Sequence, residues 1–569
     1  MAASTPHPAA SAALRARFAS QAHVFEFLDR GLVPPEEVAP FVAQLEAIDV
    51  PLVEALFAAT LADAEAGAAA GAAGAGASAP LEPCRDVTRV AAAAPAQVAA
   101  WRAAGVAAVR AGQVAALILA GGQGTRLGSD RPKGEYDVGL PSAKSLFQLQ
   151  CERARRLRDE AGGEGNAAGA RLPLYVMTSP MTDADTRAFF AAHANFGLPA
   201  DDVRFFCQGT LPCMTLGGGA GGGGAPAGKI MLESGGRVAE APDGNGGIYR
   251  ALHLSGCVAD MQARGVRGVH VFAVDNAVVK VADPVFVGFC LERGADVGSK
   301  ACPKAGPHEK VGVLCVRGGR HTVVEYSEMD RAAAELRDAA TGALAFNAGN
   351  ICIHWFSTAF LAGPCSPERL PKVYHLARKA IPVADAATGR TLSKEGLAEA
   401  LKRAGAPHNG VKLESFIFDV FPAAERLVAL EILREEEFSP VKNAPGSSED
   451  SPDTARALVS ALHRRWLAAA GATIEEAGAG ASAGASAGAA LVEISPLLSL
   501  GGEGLEAFAG QRLRAPLLAL RADEPLPPRA RATEPAFEAL DANIAVSVAE
   551  LADGLRLYRV NNPGSVECL

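Results

Sequence analysis

From residue 114 onward, short apolar runs alternate with stretches of helical spacing, and this rhythm constrains the fold more than any other feature of the chain. The runs are VAALILA (114 to 120), LPLYVMTS (172 to 179), DVRFFCQ (202 to 208) and VHVFAVD (269 to 275). Such alternation reads as a parallel sheet whose strands are joined by crossover helices. Between the second and third runs, TDADTRAFFAAHA places Asp185 three residues after Thr182, a capping-box pattern that predicts a helix start. Ligands of open α/β sheets bind beyond the carboxyl ends of the strands. Two motifs follow directly on such ends, the loop after Ala120 and Asp275, and they are placed to share one crevice.

The flanks read differently. Val24, Phe25, Phe27, Leu28, Phe41, Leu45, Val53 and Leu56 recur at helical spacing between proline-containing turns and predict a small helical N-terminal domain. Gly/Ala/Ser tracts at 64 to 79, 217 to 228 and 477 to 490 gain little from burial and read as surface insertions without chemistry. With 569 residues, two or three domains are expected. A net charge of −9 argues against non-specific nucleic-acid binding, so any polyanion has to be met by local cations. The apolar runs are too short and interrupted to span a membrane. The 11 cysteines include no C-x-x-C pair, which supports neither a disulfide framework nor a zinc site. The first twenty residues contain Arg without acid, as transit peptides do, but no apolar signal core; the cytosol is the expected compartment.

LAGGQGTRLGSDRPKG (119 to 134) carries glycines at 121, 122, 124 and 128, which let the backbone turn tightly and bring its N–H groups near an anion. Leu127 breaks the dinucleotide fingerprint, and no Gly-Lys-Ser/Thr follows to make a P-loop. Arg126 and Lys133 suit a triphosphate, although a glycine-rich loop also serves as a plain turn. In APDGNGGIYRAL (241 to 252), Asn245 could read a uracil edge or a sugar hydroxyl, or sit in an ordinary Gly-Asn turn. Asp275 could hold Mg²⁺ through a hard oxygen, with phosphates completing the shell, or cap a turn. Lys412 and Lys442, taken singly, read as solvated lysines. The histidines form no cluster, His193, His253 and His270 read as structural, and no G-x-S-x-G elbow occurs.

In order and spacing, LAGGQGTRLGSDRPKGEYDVGLPSAKSLFQLQ, FFCQGTLPCM, APDGNGGIYRAL, FAVDN, ADPVFVGFCLERGADVGSK, VEYSE, FNAGNI and REEEFSPVKNA resemble the eukaryotic-type UDP-N-acetylhexosamine pyrophosphorylases, over roughly residues 20 to 520. Gln123 and Arg126 favour this amino-sugar branch, since the UDP-glucose pyrophosphorylases are expected to carry Leu at the first position and to lack the arginine. The resemblance implies an α/β fold with a Rossmann-like central nucleotidyltransferase domain built on a mostly parallel mixed sheet (111 to 445), a helical N-terminal domain (1 to 110) and a smaller α+β C-terminal domain (446 to 569). It implies Mg²⁺-dependent conversion of UTP and N-acetylglucosamine 1-phosphate to UDP-N-acetylglucosamine and pyrophosphate. By motif, Leu119, Ala120, Gly121 and Gly122 would face the nucleotide, and Arg126 and Lys133 the triphosphate. Gln208 and Gly244 would contact uracil. Asn245, Glu325, Tyr326 and Asn350 would hold the sugar, Asp275 the metal, and Lys412 and Lys442 phosphates.

Two polyanions repel each other, so the implied chemistry needs cations to neutralise them and the departing pyrophosphate, and alignment for in-line attack. A phosphate dianion needs no general base, in keeping with the missing histidine cluster. The alternatives are a broad or glucose-preferring UDP-sugar pyrophosphorylase and a catalytically silent UDP-sugar-binding protein. The choice between N-acetylglucosamine and N-acetylgalactosamine, the oligomeric state, and the roles of the insertions and of the ending YRVNNPGSVECL stay open at this level.

Overall fold

The structure is a computed structural model of the chain. It describes residues 7, 9 to 73, 79 to 163, 166 to 216, 227 to 476, 490 to 531, 535 to 540, 546 to 552 and 554 to 560, with side chains omitted over 63 to 73. Residues 74 to 78 of the first low-complexity tract, most of the other two and the last nine residues of the chain lie outside the described residues, whereas the start of the first tract continues the helix Val50–Ala73.

The four apolar runs form the strands Val114–Leu119, Leu174–Thr178, Val203–Cys207 and Gly268–Ala273. They lie side by side and parallel in an 11-stranded sheet, with Gly268–Ala273 at one end of the set and Val203–Cys207 at the other. Beyond Gly268–Ala273 the path runs through Ala348–Ser357, Val297–Pro303, Leu427–Glu431 and Val87–Arg89. Ala348–Ser357 is antiparallel to both neighbours and every other pairing on the path is parallel, so seven of these eight strands point one way. The segments that follow Leu119, Ala273 and Glu431 therefore leave the same edge of the sheet. This is the mostly parallel mixed sheet expected from the sequence.

Every residue of Val114–Leu119 and Leu174–Thr178 is buried, as a sheet covered on both faces requires. Two covering helices, Pro95–Arg110 and Pro284–Glu292, cross where glycines let their backbones touch. A Cβ on Gly105 would lie 2.0 Å from the Pro284 carbonyl oxygen, and one on Gly288 1.9 Å from that of Trp101. Beside the crossing, Trp101 meets Phe289 edge-on at 5.3 Å.

The helix expected after Thr182 is present as Asp183–Ala192, but its capping box does not form. Thr182 is fully buried and its hydroxyl oxygen accepts from the Ser179 N–H at 3.0 Å, while Asp183 pairs with Arg187. The turn has used the cap oxygen for itself, because closing the strand-to-helix corner satisfies a buried N–H that the helix would leave orphaned.

The compact unit containing this sheet comprises residues 80 to 207, 252 to 369 and 421 to 569. In its C-terminal part, the helix Pro452–Ala469, capped by Ser451 and Thr454, adjoins a five-stranded sheet that includes Val492–Ile494, Leu517–Arg521 and Arg556–Val560. A buried ionic network ties this part to the segment after the glycine loop. Lys144 Nζ donates to Glu152 at 2.6 Å, Glu524 at 2.5 Å and the Ser495 hydroxyl at 3.0 Å. Ser142 donates its N–H and its hydroxyl to Glu493. Burial pushes the Glu493 carboxyl up to about 7 despite Lys144 nearby, because its two direct partners are neutral groups.

The second compact unit comprises residues 1 to 79, 208 to 251 and 370 to 420. The predicted N-terminal helices are Ala12–Arg17, Glu26–Asp29, Pro35–Ala47 and Val50–Ala73. Their apolar face, with Phe18, Phe25, Phe41, Leu45 and Val53, shares a core with Met214, Ile230, Val238, Val411 and Leu413. Gln21 reinforces the contact by donating to the Gly228 carbonyl at 3.0 Å and accepting from Ile230 N at 3.0 Å. The N-terminal helices thus complete a unit with two later insertions of the chain, a partition that differs from three successive segments along the sequence. The ten described cysteines are free thiols, and no described helix is long and apolar enough to cross a membrane.

Candidate active site

The glycine loop is closed by its own backbone. Gly124 N donates to Arg131 O at 2.9 Å, Lys133 N to Gly122 O at 3.1 Å, and Ser179 Oγ to Gly121 O at 2.8 Å. Ala120 N is still bonded to Met177 O, as in the sheet, whereas the N–H groups of Gly121, Gly122 and Gln123 have no acceptor among the described residues. Three successive unpartnered amides after a buried strand form an anion-seeking surface. Gly134 lets the loop return against the core, since a Cβ there would lie 2.3 Å from the Phe147 ring. Leu119 and Ala120 are buried, and Arg126 is exposed on the short helical turn Thr125–Leu127.

Asp275 leaves the neighbouring strand, where Val274 N is bonded to Leu119 O at 3.2 Å. Its Oδ2 accepts from Lys133 Nζ at 3.4 Å, and the two side chains are 15% and 19% exposed. Each charge satisfies the other in this half-buried position, where either alone would be costly. The Asp275 carbonyl accepts from Val441 N at 2.9 Å, which sets Lys442 beside the same loop. Lys442 N donates to Asp450 O at 2.7 Å, and its ammonium lies 3.9 Å from Asp450 Oδ2 and over the Phe438 ring. Burial raises the Asp450 carboxyl above the usual range; Lys442 opposes the rise and Asp275 adds to it. Lys133, Asp275 and Lys442 therefore converge at one edge of the sheet.

In the same unit, Glu325 and Asn350 meet around Gly312, a residue that the sequence reading did not single out. Asn350 N donates to Gly312 O at 2.7 Å, and a Cβ on Gly312 would come within 2.8 Å of Glu325 Oε1. Tyr326 is 48% exposed and lines a cavity of about 510 Å³ with Lys304, His308, Lys310 and Arg331.

In the other unit, Gln208 and Gly244 flank a two-stranded pairing of Thr210–Pro212 with Glu240–Pro242. Gln208 is buried, and Asp243 N donates to Gly209 O at 3.1 Å. Gly244 has φ +87° and ψ 173°, a conformation reserved for glycine. Asn245 Oδ1 accepts from Ile417 N at 3.0 Å, so its acceptor is already engaged in holding the loop, a restraint that the sequence does not reveal. Lys412 lies on the strand Gly410–Glu414, whose end is joined to this loop by Ser415 N donating to Asp243 O at 2.8 Å. Asp243 itself is buried, its Oδ1 has no partner among the described residues, and burial pushes its carboxyl up to about 7.

A mostly parallel sheet carrying an amide-lined glycine loop, lysines and carboxylates at its carboxyl edge suits an α/β protein that meets a polyphosphate, and the relatives of the chain make the class a nucleotidyltransferase. The family model described as UTP–glucose-1-phosphate uridylyltransferase matches residues 102 to 447. A UDP-N-acetylhexosamine pyrophosphorylase-like protein 1 of Xenopus tropicalis is 45% identical over 414 residues, covering 72% of this chain and 76% of that protein. UDP-N-acetylglucosamine diphosphorylase 1 of Arabidopsis thaliana is 43% identical over 406 residues, covering 70% and 73%. Among solved structures, the uridine diphosphate N-acetylglucosamine pyrophosphorylase from Trypanosoma brucei, in complex with an inhibitor, aligns with TM-score 0.68 and 31% identity over 86% of this chain and 93% of that one. The chain belongs to the UTP–glucose-1-phosphate uridylyltransferase family and, within it, to the UDP-N-acetylhexosamine pyrophosphorylases.

Proposed function

We infer that the protein transfers the uridylyl group of UTP to N-acetylglucosamine 1-phosphate, giving UDP-N-acetylglucosamine and pyrophosphate. The observation that carries this reading is the Lys133–Asp275 pair beside unpartnered loop amides, with the Lys442 segment bonded to the Asp275 carbonyl.

Asp275 fits Mg²⁺ as a single hard oxygen donor. No group of three or more His, Cys, Asp or Glu suited to a metal occurs among the described residues, so phosphate oxygens and water would complete the shell. When bound, Mg²⁺ would supply Lewis-acid stabilisation of charge on the α-phosphate and the leaving pyrophosphate. The remaining roles belong to the chain. On substrate entry Lys133 exchanges Asp275 for phosphate oxygens, and Lys442 exchanges Asp450 for them, so neither cation is left unpaired. Arg126 and the amides of Gly121 and Gly122 take further phosphate oxygens, and Glu325, Tyr326 and Asn350 hold the sugar. In the other unit, the resemblance assigns Gln208 and Gly244 to uracil, Asn245 to the sugar and Lys412 to a phosphate. The sugar-phosphate oxygen, already anionic, attacks the α-phosphorus in line and pyrophosphate departs. The free thiols of the described residues suit a reducing compartment such as the cytosol.

The test is pyrophosphate release by purified protein given Mg²⁺, UTP and a panel of sugar 1-phosphates, with product identification. N-acetylglucosamine 1-phosphate is expected to give a kcat/KM at least tenfold above that of glucose 1-phosphate. A preference for glucose 1-phosphate would replace the reading with a glucose-type activity, and binding of UDP-N-acetylglucosamine without turnover would replace it with a binding protein.

A further inference from the structure

Asp275 and Lys442 lie far apart in the chain, and the described structure shows what fixes one against the other. The segments 275 to 277 and 437 to 441 run antiparallel, with an isolated bridge between Asn276 and Pro440. Asn276 and Pro440 are the non-hydrogen-bonded pair of this bridge, a position that tolerates proline because no ladder bond uses its N–H. The Asn276 side chain, 2% exposed, adds bonds that the backbone ladder does not make. Its Nδ2 donates to Glu437 O at 2.7 Å, and its Oδ1 accepts from Ser439 N at 3.0 Å and Val278 N at 3.3 Å. Two backbone bonds flank it, from Ala277 N to Ser439 O at 3.0 Å and from Val441 N to Asp275 O at 2.9 Å.

The partner segment is itself anchored. The Glu437 carboxylate is bound by Lys300, whose ammonium is fully buried and also donates to Asp283 at 2.6 Å, and Lys280 lies 3.6 Å from Glu437. From the other side, Gln150 Nε2 donates to Val274 O at 2.8 Å and to Asn276 O at 3.4 Å. Asn276 is thus the side-chain link between a pinned strand end and a pinned loop. A buried amide bonded on both its oxygen and its nitrogen has no second rotamer that keeps those bonds.

We propose that Asn276 is a positioning residue for uridylyl transfer: it fixes the Asp275 carboxylate relative to the Lys442 ammonium, and so sets how metal and leaving pyrophosphate are held. This rests on the function inferred above. Misplacement of a catalytic group by about 1 Å can cost about a hundredfold in rate, so the clamp has kinetic consequences without touching substrate.

The experiment compares wild type, Asn276→Ala, Asn276→Asp and Thr358→Ala. Thr358 donates its hydroxyl to Val266 O at 2.7 Å and serves as a buried-bond control outside the site. In Asn276→Ala, kcat is expected to fall at least tenfold and the half-activating Mg²⁺ concentration to rise at least fivefold, with KM for N-acetylglucosamine 1-phosphate within twofold of wild type. Amide hydrogen exchange at Ser439 and Val441 is expected to quicken at least tenfold. Asn276→Asp keeps the Oδ1 acceptor but sets a carboxylate oxygen against the Glu437 carbonyl in place of the donor, so shifts at least as large as in the alanine variant are expected. Thr358→Ala is expected to leave Mg²⁺ activation and both amides unchanged. Wild-type Mg²⁺ activation together with wild-type exchange at Ser439 and Val441 in the alanine variant overturns the proposal; if that variant does not fold, the same result in Asn276→Asp does so. A wild-type protein that releases no pyrophosphate would overturn the functional reading instead, while the exchange comparison would still decide whether Asn276 clamps the two segments.

Discussion

Asp275→Ala is expected to lower kcat/KM for pyrophosphate release by about 10² to 10³-fold, or about 2.7 to 4 kcal/mol of transition-state stabilisation. The substitution removes the hard oxygen donor for the metal and also strips Lys133 of its partner at 3.4 Å. Leaving Lys133, 19% exposed, without its partner also costs some stability, so the loss in chemistry is read against the stability of the variant. The backbone bond from Val441 N to the Asp275 carbonyl remains and holds the segment in place. Steady-state assays across Mg²⁺ concentrations, with circular dichroism of the variant, separate the two effects. A variant within threefold of wild type would remove Asp275 from the reaction.

Gly244→Ala is expected to raise KM for UTP at least tenfold and to lower unfolding free energy by about 2 to 4 kcal/mol, combining backbone strain with overpacking. Its φ of +87° with ψ 173° excludes a side chain on conformational grounds, and a Cβ would lie 2.2 Å from Ser415 O. The Ser415 segment cannot simply retreat. Ser415 O accepts from Gly246 N at 2.9 Å, and Ser415 N donates to Asp243 O at 2.8 Å, so moving one breaks both. Denaturant unfolding and UTP titration measure the two consequences. Wild-type values in both would show that the loop is neither strained nor part of the nucleotide site.

The strands were legible because burial on both faces forces unbroken apolar runs such as Val114–Leu119, and a run of that length has few other structural uses. The place of Asp275 was legible because a carboxylate ending such a run leaves the sheet at its carboxyl edge. What stood outside the sequence's reach depends on distant partners. Thr182 has every local mark of a capping residue, but Ser179 takes its oxygen. Asn276 reads as one more polar residue after a strand, and its role emerges only when Pro440, more than 160 residues later, is placed opposite it. Gly312 is silent in sequence because only tertiary contact brings Glu325 and Asn350 to it. The union of the N-terminal helices with residues 208 to 251 and 370 to 420 is hidden for the same reason, since helical spacing shows that a face will be buried but not against what.

The convergence of distant cations on one phosphate site can be measured by a double-mutant cycle on Lys133 and Lys442, read in kcat/KM for pyrophosphate release. If both lysines serve the same phosphates, each alanine variant should lose at least a hundredfold, and the double variant should lose at least fivefold less than the product of the two single losses. Single losses below threefold, combining without coupling, would mean that the two ammonium groups serve no common substrate.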